Sequence, residues 1–145
     1  MKTNTIIRSF LFAPGNHARK VEKAFTLDAD AVILDLEDAV PVEEKILSRK
    51  QAIDALSKPH KPYGYIRVNG CDTQFFENDI QEIVGPWLDG IVLPKTETSE
   101  MIEKVAFQIS EAEKRSGLPL NSIELLPILE TAKGVENANE IAATS

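Results

Sequence analysis

The sequence predicts a parallel α/β fold and, within that class, an incomplete (β/α)₈ barrel made of the N-terminal five βα units. Short apolar runs alternate with helical patterns five times, and no hairpin signal separates the runs. Charged residues follow several of the runs, where strands of a barrel would end. A complete barrel of this type takes about 250 residues. Residues 1–145 are therefore expected to form a single, partial barrel domain.

The first two units are predicted from residues 6–12 and 31–36, two apolar runs that are typical of buried strands. The first run is followed by Pro14 and Gly15, and then by Asn16, a residue type that favours the N-cap of a helix. Apolar residues recur at helical spacing after each run, at Ala18, Val21, Ala24 and Phe25, and at Ile46, Leu47, Ile53 and Leu56.

The remaining units follow the same pattern. Strands are predicted at residues 63–68, 90–93 and 122–129. The helix after the fourth strand is predicted to run to about Ser116, and a last helix is predicted to begin near Val135. The apolar stripes of the third and fourth helices are Phe76, Ile80 and Ile83, and Ile102, Val105, Ala106 and Ile109.

Two architectures fit this alternation: an open doubly wound sheet and a barrel. A dinucleotide-binding open sheet would show a Gly-x-Gly-x-x-Gly turn after its first strand, whereas this chain has Pro14-Gly15-Asn16-His17. Several different strands end in charged or polar side chains, which favours a barrel mouth over a single crevice. These side chains are Asp35, Glu37, Asp38, Arg67, Asn69, Lys95 and Glu130.

Composition limits the classes of partner. The net charge of −7 argues against nucleic acid or an anionic membrane as the main partner. The single cysteine, Cys71, excludes an internal disulfide and favours a reducing compartment. Arg8 interrupts the apolar stretch near the start, and no run is long enough to span a membrane. We therefore expect a cytoplasmic protein with no membrane partner.

Three carboxylates crowd the end of the second strand: Asp35, Glu37 and Asp38. A solvated loop with a helix-capping acid would explain such a cluster, and this alternative stays open for Asp38. Solvent is a poor explanation for Asp35, which lies within an otherwise apolar run. We therefore favour a functional role for the cluster.

Three further charged residues end later strands. Arg67 could clamp a carboxylate or stabilise a developing enolate oxygen, or it could form a structural ion pair with the acidic cluster, and both roles are compatible. Lys95 is as well explained by a solvated loop as by contact with a ligand. Glu130 could bind Mg²⁺, which often takes only one or two protein carboxylates, or it could be an acid at a helix N-terminus.

Five motifs in order resemble those of the CoA-ester lyases of the HpcH/HpaI aldolase superfamily, which include citrate lyase beta subunits. Each motif is weak alone, but together they cover almost the whole chain, each at a predicted strand end. They are RSFLFAPGN (residues 8–16), VILDLEDAV (32–40), RVN (67–69), LPK (93–95) and ETAKG (130–134).

The resemblance implies a Mg²⁺-dependent carbon–carbon lyase that splits a β-hydroxyacyl thioester of citryl- or malyl-CoA type. Glu130 would be one of two carboxylate metal ligands, and Arg67 would contact the substrate and stabilise enolate charge. Glu37 and Asp38 would be the catalytic acids that support the site, and we assign the general base to this pair. We also predict, from their places after the fourth and first strands, that Lys95 and Asn16 contact the substrate.

The family's second metal ligand is an Asp one βα unit beyond Glu130, so the site is expected to be incomplete within this chain. The implied partners are a CoA or acyl-carrier thioester, a keto acid, and further copies or subunits of a lyase complex. Three alternatives remain: a thioester hydrolase of the same family, an inactive fragment that serves as a binding or assembly module, and a phosphate-binding half-barrel in which Asn16 and the first helix hold an anion.

Overall fold

A computed structural model describes residues 6–144, which form one sheet of five parallel strands in sequential order, with helices between them. The prediction of an incomplete (β/α)₈ barrel is confirmed. In chain order the elements are β1 (Phe10–Pro14), α1 (Ala18–Thr26), β2 (Ala31–Asp35), a short 3₁₀ helix (Val42–Glu44), α2 (Lys45–Leu56), β3 (Tyr63–Arg67), α3 (Phe76–Ile83), β4 (Gly90–Leu93), α4 (Ser99–Arg115), β5 (Glu124–Pro127), α5 (Ala132–Glu136) and α6 (Ala138–Ala142).

The helices pack on one face of the sheet. Alternate strand residues point to opposite faces, so each strand contributes to two separate clusters. Val32, Leu34 and Ile66 lie in a large buried cluster with residues of the helices. Ile33 and Tyr65 lie in a second cluster that contains residues of the strands but none of the helices. One-sided helices and a strand order without reversal distinguish a barrel segment from a doubly wound sheet.

The strand bounds differ from the predictions mainly at the first and last strands. The sequence predicts the first strand at residues 6–12, whereas the strand runs from Phe10 to Pro14, which pair with Ala31 and Asp35 of β2. The last strand is shorter than the predicted 122–129, and α5 begins at Ala132, before the predicted Val135. Apolar runs extend beyond strand pairing, so sequence patterns locate strands better than they locate their ends.

The prediction that Asn16 caps the first helix is wrong. His17 occupies the N-cap position and its side chain makes no capping hydrogen bond. The Asn16 side chain instead donates from Nδ2 to Oε2 of Glu44 at 2.6 Å. A partner 28 residues away in the chain has displaced the local cap.

The predicted core face of α2 is also wrong in part. Ile46 and Leu47 are exposed, whereas Lys45, Ser48 and Arg49 are buried. Ala52 and Leu56 complete the buried stripe at helical spacing. Compared with the predicted orientation, the first turns of α2 therefore bury polar side chains instead of Ile46 and Leu47.

β1 and β5 are the two edges of the sheet, and neither edge has a neighbouring strand within residues 6–144. Phe10 and Phe12 on β1 are among the exposed large apolar side chains. Across residues 6–144, none of the helices combines the length and apolar character required to cross a bilayer.

Candidate active site at the carboxyl ends of the strands

Asp35 and Arg67 end neighbouring strands and form a bidentate ion pair. They lie opposite each other in the β2–β3 register, and their positions share the sheet face of Ile33 and Tyr65, away from the helices. Arg67 donates from Nε to Oδ1 and from Nη2 to Oδ2 of Asp35, both at 2.7 Å. Parallel pairing therefore creates the fork-to-fork geometry in which such pairs are strongest.

Asp35 is almost fully buried, and backbone N–H groups bind it in addition to Arg67. Its carboxylate accepts hydrogen bonds from the backbone N–H of Glu37 at 2.9 Å and of Ala39 at 3.0 Å. Burial alone would raise the pKa of Asp35, but the hydrogen bonds from Arg67, Glu37 and Ala39 outweigh it and lower the pKa. Asp35 is thus a fixed anion that orders both Arg67 and the segment after β2.

The hydrogen bond and charge of Asp35 raise the pKa of Arg67 above its already high value, although burial opposes the shift. The guanidinium also lies over the Phe12 ring, 5.1 Å from its centroid. Two of its five N–H groups bind Asp35. The remaining three can serve Glu37 or a ligand.

Glu37 lies between two cations. Its Oε1 accepts a hydrogen bond from Nζ of Lys95 at 2.7 Å, and its Oε2 is 3.4 Å from Nη1 of Arg67. Glu37 is buried, and its Oε2 makes no hydrogen bond with any residue of the described range 6–144. Asp38 is exposed, with Oδ1 3.9 Å from Nζ of Lys95.

Lys95 links β4 to the segment after β5. Its backbone N–H donates to Oε1 of Glu130 at 3.0 Å, while its side chain binds Glu37, which raises the pKa of the Lys95 ammonium. Its φ of 49° lies in the left-handed region, an uncommon conformation for a residue with a side chain. Hydrogen bonds to Ile128 hold this turn after β4 on both sides of Lys95. Ile128 N–H donates to Leu93 O, and Thr96 N–H donates to Ile128 O.

The segment that carries Glu130 packs closely against the turn after β4. A Cβ at Gly134 would clash with the carbonyl oxygen of Thr96, so only glycine allows this approach. Thr131 caps α5 by accepting a hydrogen bond from the N–H of Gly134 at 3.0 Å. The cap of α5 is therefore Thr131, which leaves the exposed Glu130 carboxylate to accept from Lys95.

The structure brings most of the predicted site residues together. Asp35, Glu37, Arg67, Lys95 and Glu130 form a continuous chain of hydrogen bonds and ion pairs across the ends of β2 to β5. Asp38 does not cap a helix, because Pro41 and Glu44 occupy the cap positions of the two helices that follow.

Asn16 lies next to this chain rather than in it. Gly15 N–H donates to the carbonyl oxygen of Asp35 at 2.9 Å, which places the turn after β1 beside the end of β2. The Asn16 side chain is bonded to Glu44, and its Oδ1 is buried with no hydrogen-bond partner in the described range. The substrate-binding role of Asn16 therefore stays a prediction.

Sequence reasoning missed two groups of residues beneath the site. The buried Lys45 binds the segment after β2. Arg49 and Asp79 bind the segment after β3 through Asn69. The signal was present in the sequence, because Lys45, Ser48, Arg49, Ala52 and Leu56 share one helical stripe.

Glu130 fits one requirement of a Mg²⁺ site. Its exposed carboxylate supplies the hard oxygen ligands that Mg²⁺ prefers, and this ion commonly keeps several waters beside one or two carboxylates. Within residues 6–144, no three His, Cys, Asp or Glu side chains cluster in a way that could hold a metal ion.

Comparison with known proteins identifies the family of the chain. Residues 8–145 match the family model of the HpcH/HpaI aldolase/citrate lyase domain. The chain is 38% identical to the citrate lyase subunit beta of Leuconostoc mesenteroides subsp. cremoris, over all of this chain and 49% of that protein. It is 37% identical to a (3S)-malyl-CoA thioesterase of Cereibacter sphaeroides strain ATCC 17029, over 94% of this chain and 45% of that protein.

Solved structures show the same fold. A citrate lyase beta subunit of M. tuberculosis, in complex with oxaloacetate and magnesium, superposes with a TM-score of 0.72 and 29% identity. The match covers 94% of this chain and 53% of that one. The chain thus spans about half the length of the relatives that it matches.

Proposed function

As the chain belongs to the HpcH/HpaI aldolase/citrate lyase family, we propose that it carries part of the site of a Mg²⁺-dependent carbon–carbon lyase. The substrate is a β-hydroxyacyl thioester of citryl- or malyl-CoA type, and the products are an acetyl-type thioester and a keto acid. The observation that carries this proposal is the chain of contacts from Asp35 through Arg67, Glu37 and Lys95 to Glu130.

The reaction explains why these residue types are needed. A base removes the proton of the β-hydroxyl group, the bond between Cα and Cβ breaks, and its electron pair forms the thioester enolate. The oxygen left on Cβ becomes the keto group of the second product. Protonation of the enolate carbon then gives the acetyl-type thioester. The site must therefore bind carboxylate and keto oxygens and stabilise negative charge.

Arg67 supplies the stabilising positive charge. Asp35 fixes two of its N–H groups, so the guanidinium needs little reorganisation when charge develops on the enolate. Its remaining N–H groups can donate to the thioester oxygen. The hydrogen bonds that hold Asp35 as an anion thereby keep Arg67 in one orientation.

Glu37 and Asp38 are the proposed general bases. Glu37 is the better placed of the two, because Lys95 and Arg67 hold its carboxylate on the same rim as Glu130. Lys95 would leave Glu37 for a substrate carboxylate or remain as its partner. In either case its ammonium lies beside the carboxylates of Glu37 and Asp38.

Glu130 is the proposed metal-binding carboxylate of this chain. Mg²⁺ bound there would act as a Lewis acid that polarises the oxygens of the keto-acid half of the substrate. The related M. tuberculosis structure, which contains oxaloacetate and magnesium, supports the choice of Mg²⁺ as the ion. A second carboxylate, from outside the described residues, would complete the site.

The test is turnover of citryl-CoA and malyl-CoA by the full-length protein with Mg²⁺, with the products identified by mass spectrometry. Glu130→Gln is expected to lower kcat/KM by at least the roughly 10- to 100-fold that loss of a partner behind a metal ligand costs, because Glu130 is the proposed ligand itself. Glu136→Gln, an exposed substitution on α5, is the matched control and should leave turnover unchanged. Equal turnover by Glu130→Gln and wild type would remove Glu130 from the metal site.

A thioester hydrolase is the second candidate. A (3S)-malyl-CoA thioesterase is about as similar to this chain as a citrate lyase beta subunit, at 37% and 38% identity. The products separate the two functions. Free CoA with malate indicates hydrolysis, whereas acetyl-CoA with glyoxylate indicates carbon–carbon cleavage.

We also propose that the protein works as an oligomer or as a subunit of a lyase complex. Relatives named as the beta subunit of citrate lyase support this proposal. The proposed thioester would be carried by CoA or by an acyl carrier, and a comparison of both substrates on the full-length protein would show which is used.

A further inference from the structure

The side of α2 that faces the sheet carries two buried cations. Lys45 is 8% exposed and Arg49 is 2% exposed, and the two lie one helical turn apart. Burial of an ammonium or guanidinium costs free energy unless the group is well bonded. The partners of these two side chains therefore indicate what the helix does.

Lys45 binds the backbone that follows β2. Its Nζ donates to the carbonyl oxygens of Leu36 at 2.9 Å and Glu37 at 2.8 Å, and it lies 5.8 Å from the centre of the Phe75 ring. These carbonyls belong to the segment whose side chains are Glu37 and Asp38. We call residues 36–39 the acidic segment. Lys45 binds its backbone carbonyls from the side of α2, while Lys95 binds the Glu37 carboxylate at the rim.

Arg49 fixes the position of α2 itself. It donates to Oδ1 of Asp79 through Nε at 2.9 Å, and its Nη1 donates to Glu82 at 2.8 Å. The other oxygen of Asp79 accepts from the backbone N–H of Asn69 at 2.9 Å and from its Nδ2 at 2.7 Å. Asn69 lies two residues after Arg67, so α2 is tied to the ends of both β2 and β3.

We propose that Lys45 is a positioning residue of the active site. It holds the peptide groups of Leu36 and Glu37 so that the Glu37 carboxylate stays between Arg67 and Lys95. Without Lys45, the carbonyl groups of Leu36 and Glu37 lose this donor, and the segment keeps the hydrogen bonds of its N–H groups to Asp35 and Arg67 and the contacts of the Glu37 carboxylate with Lys95 and Arg67. A base displaced by even 1 Å loses much of its efficiency.

The expected effect on turnover rests on the proposed function, whereas the effect on the acidic segment does not. Lys45→Met keeps the length and apolar stem but removes the donors, and Lys45→Arg keeps a charged donor. Lys50→Met, on the exposed side of the same helix, is the matched control. All variants are made in the full-length protein.

Hydrogen exchange at the backbone amides of Glu37 and Ala39 is the first measurement. Lys45→Met is expected to speed exchange at these amides by about tenfold or more, with Lys45→Arg in between and Lys50→Met unchanged. Steady-state kinetics is the second measurement. Lys45→Met should lower kcat by about tenfold or more with KM within about twofold of wild type, and Lys45→Arg should restore part of the loss.

Unchanged exchange in a folded Lys45→Met protein would overturn the proposal, and so would a loss of kcat that only follows the unfolded fraction in thermal melts. If Lys45→Met does not fold, Lys45→Gln, which has donors but is too short to reach both carbonyls, should show the same faster exchange. If the wild type neither cleaves nor hydrolyses either thioester, the proposed function fails, and the exchange measurement still decides the role of Lys45.

Discussion

At the scale of single residues, Arg67 is the side chain whose role the structure changes most. From the sequence, Arg67 could bind the substrate, form a structural ion pair, or do both. The structure shows the ion pair, which is bidentate with Asp35. A strand-end arginine without a partner would cost little stability when removed. Because Asp35 is buried, removal of Arg67 instead leaves an anion without its counter-ion.

We therefore expect Arg67→Met to lose catalysis and also to lower the free energy of unfolding by about 3 kcal/mol. The physical reason is the unpaired charge of Asp35 rather than lost packing. A double-mutant cycle with Asp35→Asn, followed by urea unfolding of the full-length protein, measures the pairing. A coupling energy near zero would show that the pair adds nothing to stability and that the role of Arg67 is confined to the substrate.

The same pair predicts how stability depends on pH. The pKa of Asp35 is lowered from its ordinary value of 3.8 in the folded protein, so its contribution is present above that value. This contribution is lost as the pH falls from 3.8 through the folded pKa. The difference in unfolding free energy between wild type and Asp35→Asn should therefore be largest at neutral pH and shrink below about pH 4. A difference that stays constant down to pH 2 would contradict the lowered pKa.

At the scale of elements, buried polar side chains of the helices fix both ends of the strands, in addition to apolar packing. α4 shows this at the start of β5, where the fully buried Glu113 accepts from the backbone N–H of Asn121, Ser122 and Ile123 at 2.8–2.9 Å. One carboxylate thereby fixes the turn between α4 and β5. The residues held in this way lead directly into β5 at Glu124.

We expect Glu113→Gln to lower the free energy of unfolding by about 2 kcal/mol or more, because its NH₂ group would face backbone donors and leave at least one unsatisfied. Glu103→Gln, an exposed substitution on the same helix, is the matched control and should change stability by less than about 0.5 kcal/mol. Thermal and urea unfolding of the full-length protein measure both. Equal stability of the two variants would mean that the turn does not need the Glu113 carboxylate.

At the scale of the whole molecule, the sheet is open at β1 and β5 within the described residues. The inner face between these edges carries exposed Phe10 and Phe12 next to the small cluster around Tyr65. Unpaired backbone groups beside exposed apolar side chains favour association. Three residues of the candidate site, Asp38, Lys95 and Glu130, are exposed to water.

The 145-residue chain by itself is therefore expected to bind Mg²⁺ weakly, to lack lyase activity and to self-associate. Sedimentation, Mg²⁺ titration and a citryl-CoA assay on the purified chain test these expectations. Leu126→Lys, on β5 and next to the inner cluster, should reduce association. Leu120→Lys, an exposed control outside the strands, should not. A monomer with turnover typical of enzymes would show that the metal site is placed wrongly.

The sequence by itself determined the number, order and direction of the strands and the set of residues at their carboxyl ends. These features follow from local patterns: apolar runs, helical spacing and the absence of hairpin turns between them. Asp35, Glu37, Arg67, Lys95 and Glu130 could be placed on one rim because the carboxyl ends of parallel strands share one edge.

Only the tertiary structure decided which side chains pair and which face of α2 is buried. Arg67 is 32 residues from Asp35, and Lys95 is 58 residues from Glu37. Such pairs depend on register and on the distance between neighbouring units, which no local pattern contains. The Asn16 side chain bonds to Glu44 instead of capping α1. The Lys45 side chain is buried because it donates to backbone carbonyls at the end of β2. At Asn16 a hydrogen bond to a residue 28 positions away outweighed a capping preference of about 1 kcal/mol. At Lys45 the two hydrogen bonds to carbonyls nine and eight positions away offset the cost of burying an ammonium.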